Sequence, residues 1–246
     1  MNSKIDVVLS GGNEEFRPYL NAMSEMISLL RHSERGGLFD YGSGPCVWSY
    51  CASKFFSPVF AIDINDSQLQ RAKNFLEQNQ ATNIELIDPR SFDLEEIGPQ
   101  EAMISIMVIE LAGSDEVIKM CTFAGQKLRK GGRFLCMSRR PIGCLKSILM
   151  VDQIRLRGLV KGVYRTLALI RSAVEAIISP QIKNIPRARF FHTPGAVISL
   201  GKKSGLALRM APAEFQNFPP ARKLEGLFGP RFMGIRTVDW YVFEKI

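Results

Sequence analysis

Histidine is scarce in this chain of 246 residues: only His32 and His192 occur, which argues against a histidine-rich metal site. The five cysteines, Cys46, Cys51, Cys121, Cys136 and Cys144, form no C-x-x-C pair and are odd in number. They read as reduced, mostly buried thiols, and exclude a zinc site or a disulfide frame. No uninterrupted apolar stretch reaches the length needed to span a bilayer, and the opening M-N-S-K-I-D-V-V-L-S-G-G has too short an apolar run for a signal peptide. A cytoplasmic protein is therefore expected. Repeats and low-complexity tracts are also missing. What remains, 46% hydrophobic and 23% charged, suits one sizeable core with a modest insertion.

Charge is the uneven property. The chain carries a net +8, and the segment from Pro141 to Arg189 holds nine basic residues against Asp152 and Glu175, a net +7. An acidic partner is to be sought there. A helical wheel from Leu145 gathers Leu149, Leu156, Leu159, Val160, Val163, Leu167, Ile170, Val174 and Ile177 on one stripe, with Arg157, Lys161 and Arg165 opposite. Gly158 and Gly162 break the run, which predicts two helices. We expect a basic helical cap over residues 141–190, inserted in a single domain spanning 1–246. Either the stripe simply packs on the core, or the cap also touches a membrane surface or an anionic carrier.

The chain is organised around Gly36 to Asp63. A short apolar run, Leu38-Phe39, ends on Asp40; a turn with Gly42 and Gly44 leads into a helix from Val47 to Lys54; a second run, Val59 to Ile62, ends on Asp63. Strand, glycine turn, helix, strand and acid make a nucleotide-binding βαβ unit, with Asp63 at about the ~20-residue spacing that reaches a ribose diol. The third glycine of a dinucleotide fingerprint is replaced by Val47, and Asp40 stands two residues before the first glycine. Two phosphates beside that acid would be repelled, whereas a zwitterionic amino-acid cofactor would not.

The resulting D-Y-G-S-G-P-C resembles motif I of the class I S-adenosylmethionine (SAM) methyltransferases, with Cys46 in place of the last glycine. Further landmarks follow in family order. Asn65 to Asn79 has a cap and helical spacing; Ile84 to Ile87 is a strand closed by Asp88; Ala102 to Val108 is a buried central strand; a helix begins near Asp115. L-R-K-G-G-R-F-L is similar to the family's helix, glycine turn and fifth strand, with Gly131 and Gly132 expected to end the helix before Phe134 to Met137. A helix after H-T-P, a turn at Gly205 and a last strand from Thr237 to Glu244 complete the set. A helix over Glu15 to Leu30 either folds over the cofactor or packs on the sheet.

The resemblance implies an α/β fold: a doubly wound, mostly parallel seven-stranded Rossmann-like sheet. It implies S-adenosyl-L-methionine as cofactor, held by Asp40, Gly42, Ser43, Gly44, Asp63, Ile64, Asp88 and Met107, with Asp88 bonding the adenine amino group. No metal is expected. His192 is a candidate general base for a hydroxyl acceptor, although its place in H-T-P also explains it as a helix-start neighbour. The fourth strand is followed by no N-P-P-[YF] motif, as base-amide and glutamine enzymes carry, and Pro45-Cys46 lies in the cofactor turn, away from where a cytosine-C5 nucleophile is needed. A small metabolite or lipid-like acceptor fits best, with O-methylation ahead of N or C. An RNA methyltransferase using the basic segment on phosphates is the alternative, and a catalytically silent binding protein a third. Nucleic acid is disfavoured because Tyr164 is the only aromatic among the basic residues of 141–189.

Overall fold

The fold was obtained as a computed structural model, which describes residues 17–30, 36–109, 111–139, 194–210 and 238–246. The expected cap over 141–190 and the candidate base His192 lie outside the described residues.

Leu38–Tyr41 (β1), Val59–Ile62 (β2), Ile84–Ile87 (β3), Gln100–Ile106 (β4), Leu128–Arg139 (β5), Leu206–Met210 (β6) and Val238–Lys245 (β7) build one sheet in the order β3-β2-β1-β4-β5-β7-β6. The pairs from β3 through β5 are parallel, and β7 runs antiparallel to both its neighbours. The order reverses between β1 and β4, so the crevice at their carboxyl ends is the natural ligand position.

Alternation along the strands explains why both faces are covered. Leu38, Val59, Ala102, Ile104, Leu135 and Trp240 point to one face, where Arg17–Leu30 (α1) and Val47–Ala52 (α2) pack. Phe39, Phe60, Met103, Phe134, Cys136 and Phe243 point to the other, against Ser114–Lys127 (α4) and Pro194–Lys203 (α5). The remaining helix, Asp66–Gln78 (α3), is capped by Asn65, whose side chain accepts from the Ser67 and Gln68 amides, and it buries Ala72 and Leu76. Such a cap contributes about 1 kcal/mol.

Several sequence-based boundaries move. Helix α1 packs its buried Leu20, Met23, Met26 and Leu30 on the sheet face, and none of its described residues lines the cavity set out below. Strand β4 begins and ends two residues early; Met107, with φ 62, leaves it in the left-handed region. The glycine pair does not end α4. The helix stops at Lys127, because buried Leu128 is already extended and pairs with Gln100. Gly131 (φ 76) and Gly132 sit within β5, where the pairing skips from Leu128 to Arg133, so they form a bulge in the strand.

Candidate functional site

The glycine turn after β1 is pinned from below. The amides of Gly42 and Ser43 both donate to the carbonyl of Ile62, at 2.8 and 3.0 Å, which ties the turn to the end of β2. Gly42 (φ 75) has no room for a side chain: a Cβ there would lie 2.5 Å from Val108 Cγ2. Gly44 (φ 54) differs, because a Cβ would meet no protein atom within 4 Å, and the residue borders a cavity. Its amide donates to Asp63 Oδ2 at 2.8 Å, while Oδ1 accepts from the Asn65 amide at 2.8 Å. Each carboxylate oxygen of Asp63 thus keeps acceptor capacity for a further partner.

The cavity, of ≈ 460 Å³, opens at the carboxyl ends of β1, β2 and β4. That is an ordinary volume for a small-molecule or cofactor site. Of the sequence-predicted site residues, Gly42, Gly44, Asp63, Ile64 and Met107 line it together. Ser43 is buried beneath the turn, with its Oγ 3.7 Å from Cys46 Sγ. Asp40 stands behind the turn, 2% exposed, and accepts a 2.6 Å hydrogen bond from Ser49 Oγ. Burial, opposed by that bond and reinforced by the charge of Asp63, pushes its carboxyl up to about 7.

Asp88, at the end of β3, is paired with Arg90. Its Oδ1 accepts from the Arg90 amide and Nε at 3.0 and 2.8 Å, and its Oδ2 from Arg90 Nη2 at 2.7 Å. These bonds hold its carboxyl down at about 2. Arg90 also bridges to Asp66 at the start of α3. Pro89, not Asp88, borders the cavity.

Sequence reasoning missed Tyr41, Gln68, Val108, Leu111, Glu116 and Met120, which complete much of the wall. The signal for two of them was present: Glu116 and Met120 are one helical turn apart on α4 and share a face. Burial, and then the charge of Glu116, raises the phenol of Tyr41. Among the described residues, Asp63 and Glu116 are the carboxylates of the wall, and no Lys, Arg or His lines it. Among the described residues no group of three His, Cys, Asp or Glu is placed to hold a metal ion. Nor is any described helix long and apolar enough to cross a membrane.

Neither protein-family models nor curated proteins give a match to this chain. Solved structures do. An S-adenosylmethionine-dependent methyltransferase from Clostridium acetobutylicum superposes with a TM-score of 0.60 at 9% identity, covering 96% of this chain and 93% of that one. The cyclopropane synthase MmaA2 from Mycobacterium tuberculosis gives 0.55 at 15% identity, covering 91% and 83%. Magnesium protoporphyrin IX methyltransferase from Synechocystis, solved with SAH bound, gives 0.51 at 12% identity, covering 99% and 82%. At such identities the likeness is one of fold, and the fold is the Rossmann-like one of SAM-dependent methyltransferases.

Proposed function

We propose that this chain is a SAM-dependent methyltransferase. The observation that carries the proposal is the charge of the cavity: among the described residues its wall has two carboxylates, a third lies buried behind the glycine turn, and no cation lines it. A pyrophosphate would be repelled from such a site, whereas a sulfonium bearing an ammonium group is attracted. The remaining donor set fits the same molecule. Asp63 offers two oxygens to a ribose diol, the open space at Gly44 admits a ligand close to the backbone, and Ile64 and Leu111 leave apolar surface beside it.

When bound, the cofactor supplies an electrophilic methyl group, whose transfer is an in-line displacement governed by positioning. The chain's part is to hold and orient. Asp63 fixes the ribose, Asp40 favours a positive charge beside the turn, and Met107 and Val108 close the wall next to β4. For an oxygen acceptor a base assists, and His192 is our candidate. The acceptor we propose is a small metabolite or lipid-like molecule, supported by the largely apolar wall and by the lack of an N-P-P-[YF] motif. Neighbours whose names point to a porphyrin and to cyclopropane synthesis are consistent with an apolar acceptor. The basic 141–190 segment is proposed to meet an anionic part of the acceptor or its carrier.

Calorimetry with the full chain tests the cofactor. SAM should bind, and Asp63→Ala should weaken it by about 1.5–3 kcal/mol, roughly 10- to 150-fold. Unchanged affinity in a folded Asp63→Ala protein would sink the proposal. Offering methyl-labelled SAM with metabolites, lipids and RNA in separate arms tests the acceptor; label carried only into RNA would overturn the small-molecule reading.

A further inference from the structure

The end of the sheet opposite the cavity carries cations that the fold does not match. Strands β5 and β6 begin at that end, and β7, antiparallel to both, finishes there. Its acids are largely taken: Glu95 pairs with Lys127, Glu101 with Arg129, and Glu244 with both Arg133 and Arg209. Glu96, on the turn before β4, is left over. Lys130 in the unpaired part of β5, Lys202 and Lys203 in the last turn of α5, and Lys245 at the close of β7 meet no carboxylate among the described residues.

These lysines share one surface. Lys245 stands opposite Leu206 at the start of β6, and its Nζ donates to the Gln126 carbonyl at the end of α4, 3.2 Å away. Gly125 of α4 lies so close to Ser204 that a Cβ there would fall 2.0 Å from the Ser204 carbonyl oxygen. The end of α4, just before Lys130, therefore touches the turn that follows Lys203. In the same place Ile246, 77% exposed, donates its amide to the Gly205 carbonyl at 3.5 Å. A helix dipole favours cations in its last turn, which accounts for Lys202 and Lys203 but not for Lys130 or Lys245.

A broad anionic surface with an apolar layer beneath it fits this face. Lysines act on phosphates as point charges, and each one near an anionic bilayer strengthens binding about fivefold. Exposed Ile246 adds an apolar side chain among them, as interfacial segments do. RNA would call for stacking aromatics and free guanidinium forks, whereas Arg129 and Arg209 are already held by Glu101 and Glu244.

We propose that the face carrying Lys130, Lys202, Lys203 and Lys245 docks on anionic phospholipid headgroups. The cavity opens at the carboxyl ends of β1, β2 and β4, so the docked chain turns it away from the bilayer and takes its acceptor from the aqueous side. Docking stands apart from the SAM reading; the route of the acceptor rests on it.

The test is flotation of the full chain with phosphatidylglycerol vesicles and with phosphatidylcholine vesicles, and a separate arm measures binding to a mixed-sequence oligoribonucleotide. Wild type should float with phosphatidylglycerol alone, and high salt should release it. Replacing Lys130, Lys202 and Lys203 together with Gln should weaken vesicle binding on the order of a hundredfold. Replacing the same lysines with Arg should leave it at the wild-type level, which separates charge from any effect on folding. Replacing Arg157, Lys161 and Arg165 with Gln changes the net charge equally and should cost far less, so the difference reports place and not total charge. The proposal is overturned if wild type does not float with phosphatidylglycerol or floats equally with phosphatidylcholine. It is also overturned if the lysine-to-Gln variant binds vesicles as wild type does or loses only the oligoribonucleotide, if the Arg variant loses as much, or if the 157, 161 and 165 variant loses more.

Discussion

Asp40 and Glu101 are both buried carboxylates of the same sheet, 2% and 1% exposed, but they lie at opposite ends of neighbouring parallel strands. At the amino end, Glu101 is matched by Arg129, whose Nη2 lies 3.0 Å from Oε1. Its carboxyl also fills the space over Gly36, where a Cβ would come within 1.9 Å of Oε2. At the carboxyl end, Asp40 has the Ser49 hydroxyl and the repulsion of Asp63, and its carboxyl is pushed up to about 7. One acid is neutralised by the protein and packed around. The other has no cation among its bonded partners in the described residues and sits behind an opening. A buried charge without a counter-ion is costly, and such groups gather at functional sites. The contrast separates an acid that holds the fold from one that we propose receives a positive ligand.

Removing the cation from the paired acid should produce the largest effect on stability. Arg129→Met removes a cation from beside buried Glu101, a loss of about 3 kcal/mol. That is the lower end of the usual range, because the Arg129 side chain is itself 42% exposed. Urea denaturation should show the shift in midpoint, while SAM affinity stays within twofold. A large loss of affinity with little loss of stability would erase the distinction between the two ends.

A pH series sharpens the comparison from the other side. The Asp40 carboxyl is raised from 3.8 to about 7 in the folded protein. Between those values the unfolded chain gives up a proton that the folded chain keeps, so the contribution of Asp40 to stability falls as pH rises from about 4 to 7, then levels. Ligand binding runs oppositely, since an ammonium beside the turn favours the ionised acid. SAM affinity should therefore rise as pH passes through about 7 in wild type and be flatter in Asp40→Asn. Parallel profiles for the two proteins would remove Asp40 from the site.

The sequence made this end of the molecule legible because ligand-binding turns are short and local. Asp40, Gly42, Gly44 and Asp63 are fixed by spacing within one βαβ unit, and strands β2 and β3 fall on the expected residues. What it hid depends on contacts across the sheet. Nothing in L-R-K-G-G-R-F-L shows that Leu128 would pair with Gln100, so the glycines read as a helix stop and not as a bulge. Likewise D-P-R looks like a strand-end acid before a turn; that Arg90 folds back onto Asp88 while reaching Asp66 needs the third dimension. Gln68 passes for a solvent-facing helix residue until the cavity beside it is known.

The smallest effect is expected at Cys46, where the sequence pattern and the geometry can be separated. The residue adopts φ 63 and ψ 20 before α2, which explains why glycine is usual at this point of the motif: the constraint is on the backbone. A side chain in that conformation costs roughly 1–2 kcal/mol. The thiol recovers part of this by complete burial, which pushes its pKa up to about 12, with the charge of Asp40 adding to the shift. It is therefore protonated and unreactive near neutral pH. Cys46→Gly relieves the backbone and loses the buried sulfur, so its stability should stay within about 1 kcal/mol of wild type. Cys46→Ala keeps the strained backbone, loses the same contact, and should be the less stable of the two. Both should bind SAM and transfer methyl at near wild-type rates. Thermal melts give the order of stability, and a variant that binds SAM normally yet fails to transfer methyl would assign the thiol a chemical role.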